Sequence, residues 1–132
     1  MAPVSSVLKP LRNQRFWLLL WCMAVLALVV VCLIPPPPLG LPPNSDKVEH
    51  FLAYFLLSAS AVQLFATRRA LCAVALGLLV LGMGIEGLQG ALTDNRVADP
   101  MDVLANSIGV LAGMAIALTP LRDLLLRLQR RD

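Results

Sequence analysis

The hydrophobic positions of this chain are gathered into four long runs, separated by short polar or proline-rich connections. The runs cover residues 16–34, 48–66, 70–92 and 101–121. Each is close to the roughly 20 residues that an α-helix needs to cross about 30 Å of hydrocarbon. The first run has no charged residue, and in the others the polar residues are concentrated near one end. The pattern predicts an all-α polytopic membrane protein, with four transmembrane helices in a single domain over residues 1–132.

The composition agrees with a membrane protein. The chain is 58% hydrophobic and only 14% charged, whereas soluble domains carry about 25% charged residues. The first run is longer than the apolar core of a signal peptide, and prolines 35–38 follow it where a cleavage site needs small residues. We therefore expect the first run to be a retained helix, followed by a stiff polyproline-like connector.

The basic residues are divided unequally between the two sides of the predicted bundle. With a cytoplasmic N-terminus, the outer side holds only Lys47 and Arg96, so the positive-inside rule predicts that both termini are cytoplasmic. The net charge of +3 reflects this bias, and a nucleic-acid surface is not expected. The tail 122–132 alternates leucine with arginine, which predicts an amphipathic segment on the anionic inner leaflet. The basic residues on the inner side are Lys9, Arg12, Arg15, Arg68, Arg69, Arg122, Arg127, Arg130 and Arg131.

Two of the predicted helices begin with capping signals. Asp46 and Glu49 have the spacing of a capping box at the start of the second helix. Asp99 and Asp102 do the same for the fourth helix, where Pro100 occupies the favoured first helical position. These signals place both helix starts on the predicted outer side.

Polar residues converge on the same outer side. Six of the eight acidic residues fall there, with the only histidine and several polar partners. This group consists of Asp46, Lys47, Glu49, His50, Tyr54, Glu86, Gln89, Asp94, Asn95, Arg96, Asp99, Asp102 and Asn106.

Glu86 is the deepest ionisable residue of this group. It lies about 9 Å inward from the end of the third run, at 1.5 Å per residue. An ionisable group at mid-membrane costs on the order of 2–3 kcal/mol, so Glu86 should face the bundle interior and a partner. Gln89 shares its helix face, and His50 and Tyr54 share a face of the second helix at i and i+4.

The fourth helix carries one stripe that is polar at its outer end and small further in. Asp102, Asn106, Gly109 and Gly113 follow one another at helical spacing, and the two glycines form a GxxxG contact surface. We expect this stripe to meet the faces of the second and third helices below the outer surface. Arg96, in the loop between helices three and four, would cover the resulting site.

Each candidate residue also has a structural explanation. Asp46, Glu49 and Asp99 are explained by helix capping, and Asp102 by capping or by function. An asparagine such as Asn106 often bridges transmembrane helices. His50 and Tyr54 suit an interface between membrane and water, Arg96 suits a solvated loop, and Glu86 could make a buried structural hydrogen bond.

Three segments together resemble the VanZ-like family of small membrane proteins. They are DKVEHFLAYFLL (46–57), EGLQ (86–89) and NRVADPMDVLANSIGVLAG (95–113), which contain D-K-x-x-H-F-x-x-Y, E-x-x-Q and R-x-x-D-x-x-D-x-x-x-N-x-x-G-x-x-x-G. The resemblance covers helices two to four. It implies a bacterial inner-membrane protein linked to the cell envelope, and the namesake of the family is associated with low-level resistance to teicoplanin. The matching positions are Asp46, Lys47, His50, Tyr54, Glu86, Gln89, Arg96, Asp99, Asp102, Asn106, Gly109 and Gly113.

The first functional hypothesis is an enzyme or binding protein that acts on the headgroup of an envelope lipid or cell-wall precursor. Arg96 and Lys47 would grip a phosphate or carboxylate, and Glu86 and His50 would supply general acid and base. Asp102 would complete the catalytic set, while Tyr54, Gln89 and Asn106 would contact the substrate. No cofactor is expected, although a divalent cation could sit among the carboxylates.

Two other hypotheses belong to different classes. One is a small transporter in which Glu86 and His50 relay protons; its path would need oligomerisation, because nothing charged lies in the cytoplasmic half of helices two to four. The other is a structural or regulatory subunit that uses the GxxxG surface and the arginine-rich tail to dock a partner membrane protein or a second copy. The chain has no GxSxG, HExxH or P-loop motif, which leaves the common hydrolase and nucleotide-binding interpretations without support.

Overall fold

The computed structural model describes residues 7–34, 40–43, 45–92 and 99–131. Within these residues all regular structure is helical, which confirms the predicted all-α class; the one extended pairing is an isolated bridge between Leu8 and Phe65. Two short 3-10 segments, Ala115–Leu118 and Pro120–Asp123, join the last two α-helices. The α-helices are α1 (Gln14–Leu33), α2 (Ser45–Leu64), α3 (Arg68–Leu92), α4 (Pro100–Met114) and α5 (Leu124–Arg130).

Three helical segments of the described chain are long and apolar enough to cross a membrane. They are α1, α3 and the continuous stretch Pro100–Leu118, which joins α4 to the first 3-10 segment. Helix α2 has 20 residues, so it is long enough, but it carries Asp46, Lys47 and Glu49 near its start. These charges lower its hydropathy, so three of the four predicted spans meet the criteria of length and composition.

Helix α2 occupies the centre of the fold. It contacts α1, α3, α4, both 3-10 segments and α5. Its Tyr54 and Leu57 form the core with Leu78 of α3 and Val110 of α4. Because its neighbours cover its buried face, α2 can carry more polar side chains than a helix surrounded by lipid.

The closest approach of two helices in the fold brings α4 against α2. A Cβ atom on Gly109 would lie 2.5 Å from the carbonyl oxygen of Phe51, and one on Gly113 would lie 1.8 Å from Ser58 Oγ and 2.7 Å from the carbonyl oxygen of Phe55. The Ser58 hydroxyl also donates to the Gly109 carbonyl at 3.4 Å. The glycines therefore allow backbone-to-backbone packing that no larger residue permits.

The helix ends differ from the predicted ones by up to three residues in α1, α2 and α3 and by more in the fourth helix. Helix α2 begins at Ser45, so Asp46 lies in its first turn, where a carboxylate favours the helix dipole, and the prediction of Asp46 as the N-cap is wrong. The predicted fourth helix, 101–121, is α-helical only to Met114 and is interrupted at Thr119. Thr119 is extended because it precedes Pro120, whose ring disfavours the helical conformation of the residue before it.

Helix α1 is the most exposed of the long helices, as expected for a helix that faces lipid. Its one buried residue is Cys32. It is nevertheless tied to the bundle, since the Trp21 indole donates to the Leu57 carbonyl at 2.9 Å. Most of the proline-rich connector that follows α1 lies outside the described residues.

The N-terminal segment and the tail meet at the end of the bundle opposite the one where α2 and α4 begin. The Lys9 amide donates to the Leu64 carbonyl at 2.8 Å, and the Lys9 ammonium lies 2.9 Å from Asp123 Oδ1 and donates to the Arg122 carbonyl. Lys9 is only 5% exposed, so these contacts provide partners for a buried ammonium group. The Asp123 carboxyl has its pKa lowered by the hydrogen bond from Lys9.

The glycine contact predicts a position-specific effect on stability. Gly113→Ala should destabilise the protein by about 1–3 kcal/mol, because its Cβ meets backbone atoms that cannot rotate away. Gly77→Ala is the matched control, because a Cβ there meets nothing within 4 Å and alanine is the better helix former. Unfolding by SDS from dodecylmaltoside micelles, followed by tryptophan fluorescence, measures both variants. Equal midpoints for the two variants would contradict the packing described above.

Candidate functional site

The polar residues of α2, α3 and α4 meet at the end of the bundle where α2 and α4 begin. Tyr54, Glu86, Gln89, Asp102 and Asn106 are all buried there, on three different helices. They lie in successive layers, because residues spaced by three or four positions stack along one helix face.

The innermost layer is built over a glycine of α3. A Cβ on Gly82 would lie 3.1 Å from Asn106 Nδ2 and 3.3 Å from the Tyr54 hydroxyl. A larger residue at this position would displace one of these polar groups. Gly82 thus makes the space in which side chains from α2 and α4 sit against α3.

Glu86 lies one turn outward from Gly82 on the same face of α3 and is 5% exposed. Its Oε1 atom accepts a hydrogen bond of 2.6 Å from the backbone N–H of Asp99, which ties α3 to the start of α4. Its Oε2 atom is buried and has no hydrogen-bond partner among the described residues. Leaving a buried polar atom unpaired costs about 1–3 kcal/mol, and more for a charged group.

His50 is held by the fourth helix. Its Nδ1 atom lies 3.1 Å from Asn106 Oδ1. Because an amide oxygen can only accept, this contact assigns the proton of a neutral imidazole to Nδ1 and leaves Nε2 as a base. His50 also lies within electrostatic range of Asp102, one turn outward from Asn106.

The outermost layer is a lysine surrounded by carboxylates. Lys47 Nζ lies 3.1 Å from Asp99 Oδ2, 3.6 Å from Asp102 Oδ1 and 3.9 Å from Asp46 Oδ2. The hydrogen bond with Asp99 is the main cause of a raised pKa of Lys47. Asp99 has a lowered pKa, first because it accepts from the Met101 amide and second because of Lys47. In this arrangement the Lys47 charge is neutralised within the site, so an anionic ligand would have to displace a carboxylate.

Gln89 contacts α1 as well. Its Nε2 atom donates to the Cys32 carbonyl at 2.6 Å. From the sequence, Gln89 was predicted to contact the substrate, and α1 was not predicted to take part in the site. The structure places the end of α1 beside it, and a backbone carbonyl carries no residue-specific signal in a sequence.

Three buried polar atoms of the site have no hydrogen-bond partner among the described residues: Tyr54 Oη, Glu86 Oε2 and Asp102 Oδ1. The last of these still has the Lys47 ammonium at 3.6 Å. Tyr54 is 1% exposed, and its phenol interacts electrostatically with Glu86. The set offers one hydroxyl donor and two carboxylate acceptors, so it is suited to a ligand that carries both donors and acceptors.

The described acidic residues at this end outnumber the described basic ones. Asp46, Glu49, Glu86, Asp99 and Asp102 face a single Lys47. Within the described residues, no three His, Cys, Asp or Glu side chains are placed so as to hold a metal ion. Asp94, Asn95 and Arg96, with the predicted cover over the site, lie outside the described residues.

The hydrogen bond from the Asp99 amide to Glu86 was not predicted from the sequence. Asp99 caps α4 as predicted, since its Oδ1 accepts from the Met101 amide at 2.9 Å. The same residue presents its own amide to α3 and its second carboxylate oxygen to Lys47. A cap was identifiable from spacing, but these two tertiary contacts depend on how the helices pack.

No family model, curated protein or solved structure matches this chain.

Asp99 predicts a pH-dependent contribution to stability. Because its folded pKa is lowered, its contribution is present above the unfolded pKa and is lost as the pH falls through the folded pKa. Asp99→Asn keeps a capping oxygen but loses the charge, whereas Asp99→Ala loses both, so the alanine variant should melt at the lower temperature at neutral pH. Thermal unfolding in micelles across the acidic range measures this. The asparagine variant should show a weaker loss of stability on acidification, and an unchanged pH profile would contradict the assignment.

Proposed function

We propose that this chain is a VanZ-like protein of the bacterial inner membrane with four transmembrane helices and both termini in the cytoplasm. Its polar site then opens on the extracytoplasmic side and binds or acts on the headgroup of an envelope lipid or cell-wall precursor. The observation that carries the proposal is that three buried atoms, one each of Tyr54, Glu86 and Asp102, have no hydrogen-bond partner among the described residues.

The distribution of charge supports this orientation. The contact between Leu8 and Phe65 puts the N-terminal segment beside the end of α2 and the start of α3. The described basic residues other than Lys47 belong to this end, and all described acidic residues except Asp123 belong to the other. Positive charge in short loops favours retention in the cytoplasm, so the acidic end is assigned to the outside.

The chemistry of the site supports a ligand that carries hydroxyl or amino groups. Two carboxylate oxygens without hydrogen-bond partners accept hydrogen bonds from such groups, and the Tyr54 hydroxyl donates one in return. The excess of acidic over basic residues at this end disfavours a purely anionic ligand. A headgroup with polyol, sugar or amine character meets both requirements.

A catalytic version of this function uses His50 and Glu86 as the proton-transfer pair. His50 Nε2 would take a proton from a ligand hydroxyl, while the Nδ1 contact with Asn106 fixes the ring. The deprotonated hydroxyl would attack an electrophilic centre of the ligand, and Glu86, in its protonated form, would give its proton to the oxygen that leaves. Asp102 would stabilise the charged imidazole. The VanZ-like motif contains all four of these residues. The association of the family's namesake with teicoplanin-type resistance makes envelope chemistry the first field in which to look.

A structural or regulatory subunit is the second candidate. It is supported by the fact that Glu86 and Gln89 both bond to the backbone of another segment, as purely structural residues do. A stoichiometric membrane partner that co-purifies with the chain would favour it. A transporter has less support, because the described α2, α3 and α4 carry no acidic or basic side chain between the site and the cytoplasmic turn apart from Arg68 and Arg69 at the turn itself.

Glu86→Gln should weaken retention of the ligand by about tenfold or more, because a hydrogen bond to a charged group contributes roughly 1.5–3 kcal/mol. Tyr54→Phe should do the same through the lost hydroxyl donor. The measurement is mass spectrometry of lipids that remain with the protein purified from inner membranes in mild detergent. His50→Gln should retain the ligand if His50 serves only in proton transfer.

Glu49→Gln is the matched control. Glu49 is exposed on α2, so this substitution removes the same charge without changing the buried polar residues. Its retained lipids should equal those of the wild-type protein. If Glu86→Gln lowers the amount of protein in the membrane and the bound lipid equally, the residue is structural. If wild type and Glu86→Gln retain identical lipids at identical protein levels, the proposed site does not bind a lipid headgroup.

The proposed topology predicts a specific labelling pattern. In a variant without the three native cysteines, a cysteine at position 42 should react with a membrane-impermeant maleimide in intact spheroplasts. A cysteine at position 131 should react only after the membrane is opened, because the tail is cytoplasmic. The reverse pattern would mean that the bundle has the opposite orientation. Labelling of both positions in intact spheroplasts would mean that an even number of spans separates position 42 from position 131.

A further inference from the structure

We propose that the apolar groove between α1, α2 and α5 holds an acyl chain of an anionic phospholipid from the inner leaflet, with arginines of the tail beside its headgroup. The groove has a volume of about 510 Å³, within the range of ligand pockets. It lies at the end of the bundle opposite the candidate site, so the two would bind different molecules. The inference depends on the proposed membrane topology but not on the ligand of the candidate site.

The walls of the groove offer hydrocarbon and few free polar groups. Its polar lining side chains are mostly satisfied within the protein: Ser60 donates to the Leu56 carbonyl at 2.6 Å, and Gln63 bonds to the Leu121 carbonyl and the Leu125 amide. A polar ligand would gain nothing from these groups. An acyl chain would lose no hydrogen bonds on entering and would cover leucines that are otherwise exposed.

The tail forms one wall of the groove with a leucine face. Leu124, Leu125 and Leu128 line the groove, and Gln129 fastens the tail to the N-terminal segment by accepting from the Arg12 amide at 2.7 Å. Gln63 holds the beginning of α5 through the Leu125 amide at 3.0 Å. The wall is therefore fixed by hydrogen bonds that do not involve the apolar contacts, which leaves the groove free to accept an occupant.

The charge at the mouth of the groove selects the headgroup. Arg127 lies three residues after Leu124 and so shares its side of α5, Arg131 directly follows the end of α5, and Arg12 lies beside Gln129. These three residues are exposed. The one described acidic residue in the tail, Asp123, is paired with Lys9. Asp123 also lies 3.8 Å from Arg122 and within electrostatic range of Arg127, so this one carboxylate is shared among several basic residues. The described mouth therefore carries an excess of positive charge, and anionic phospholipid is the lipid that this charge attracts.

Tryptophan fluorescence reports directly on occupation of the groove. The chain has two tryptophans, Trp17 and Trp21, and both line it. Bromine atoms on an acyl chain quench tryptophan on contact. The protein is reconstituted in phosphatidylcholine vesicles that contain a minor fraction of either dibrominated phosphatidylglycerol or dibrominated phosphatidylcholine.

We expect brominated phosphatidylglycerol to quench at a much lower fraction than brominated phosphatidylcholine. Arg131→Gln should weaken the preference for phosphatidylglycerol about fivefold. Arg69→Gln removes the same charge at the same end, but no residue of α3 lines the groove, so the preference should remain. Ala24→Phe fills the groove and should abolish the preference, whereas Ala27→Phe, at an exposed position of α1 that does not line the groove, should not.

Equal quenching by the two brominated lipids would overturn the proposal, because it would mean that the groove meets only bulk lipid. A preference that survives Ala24→Phe would place the phospholipid elsewhere on the protein and would also overturn it. Glu86→Gln should leave the quenching unchanged, so failure of the candidate site and failure of the groove are distinguishable.

Discussion

The close approach of α4 to α2 at Gly109 and Gly113 is the constraint on which the rest of the structure depends. The two backbones meet where a Cβ would lie 2.5 Å from the Phe51 carbonyl oxygen, so the separation and register of these helices have little freedom. That register sets Asn106 against His50 and brings Asp102 to Lys47, both one or two turns further out. A polar site in a membrane requires side chains of neighbouring helices to face one another. Here the glycine packing deeper in the bundle sets their orientation.

Much of this arrangement could be predicted from the sequence, because hydrophobic runs and helical spacing act over short distances. Residues four apart lie on one face in any α-helix. The shared faces of His50 with Tyr54 and of Asp102 with Asn106 therefore follow from their spacing in the sequence. The start of α4 could also be predicted from neighbouring residues, because Asp99 is its N-cap and Pro100 its first residue. The break at Thr119 could have been predicted as well, because a residue before proline disfavours the helix.

The remainder depends on contacts between segments far apart in the sequence. Spacing cannot reveal that the Asp99 amide meets Glu86, or that Gln89 bonds to a backbone carbonyl of α1. The same holds for the pairing of Lys9 with Asp123, 114 residues further along the chain, which fastens the N-terminal segment to the tail. These are polar contacts of buried groups, and in a membrane such groups must find partners inside the protein because lipid offers none.

The two ends of the bundle differ in how their buried charges are paired, and this difference supports placing the proposed headgroup site at the acidic end. At the basic end the buried Lys9 ammonium bonds to a carboxylate and a carbonyl. At the acidic end Glu86 Oε1 is hydrogen-bonded, whereas Glu86 Oε2, Tyr54 Oη and Asp102 Oδ1 have no hydrogen-bond partner within the part of the chain that the structure describes. A purely structural network would gain stability by closing these gaps, as the basic end does. These gaps among the described residues of three helices are the ones that we propose a ligand fills.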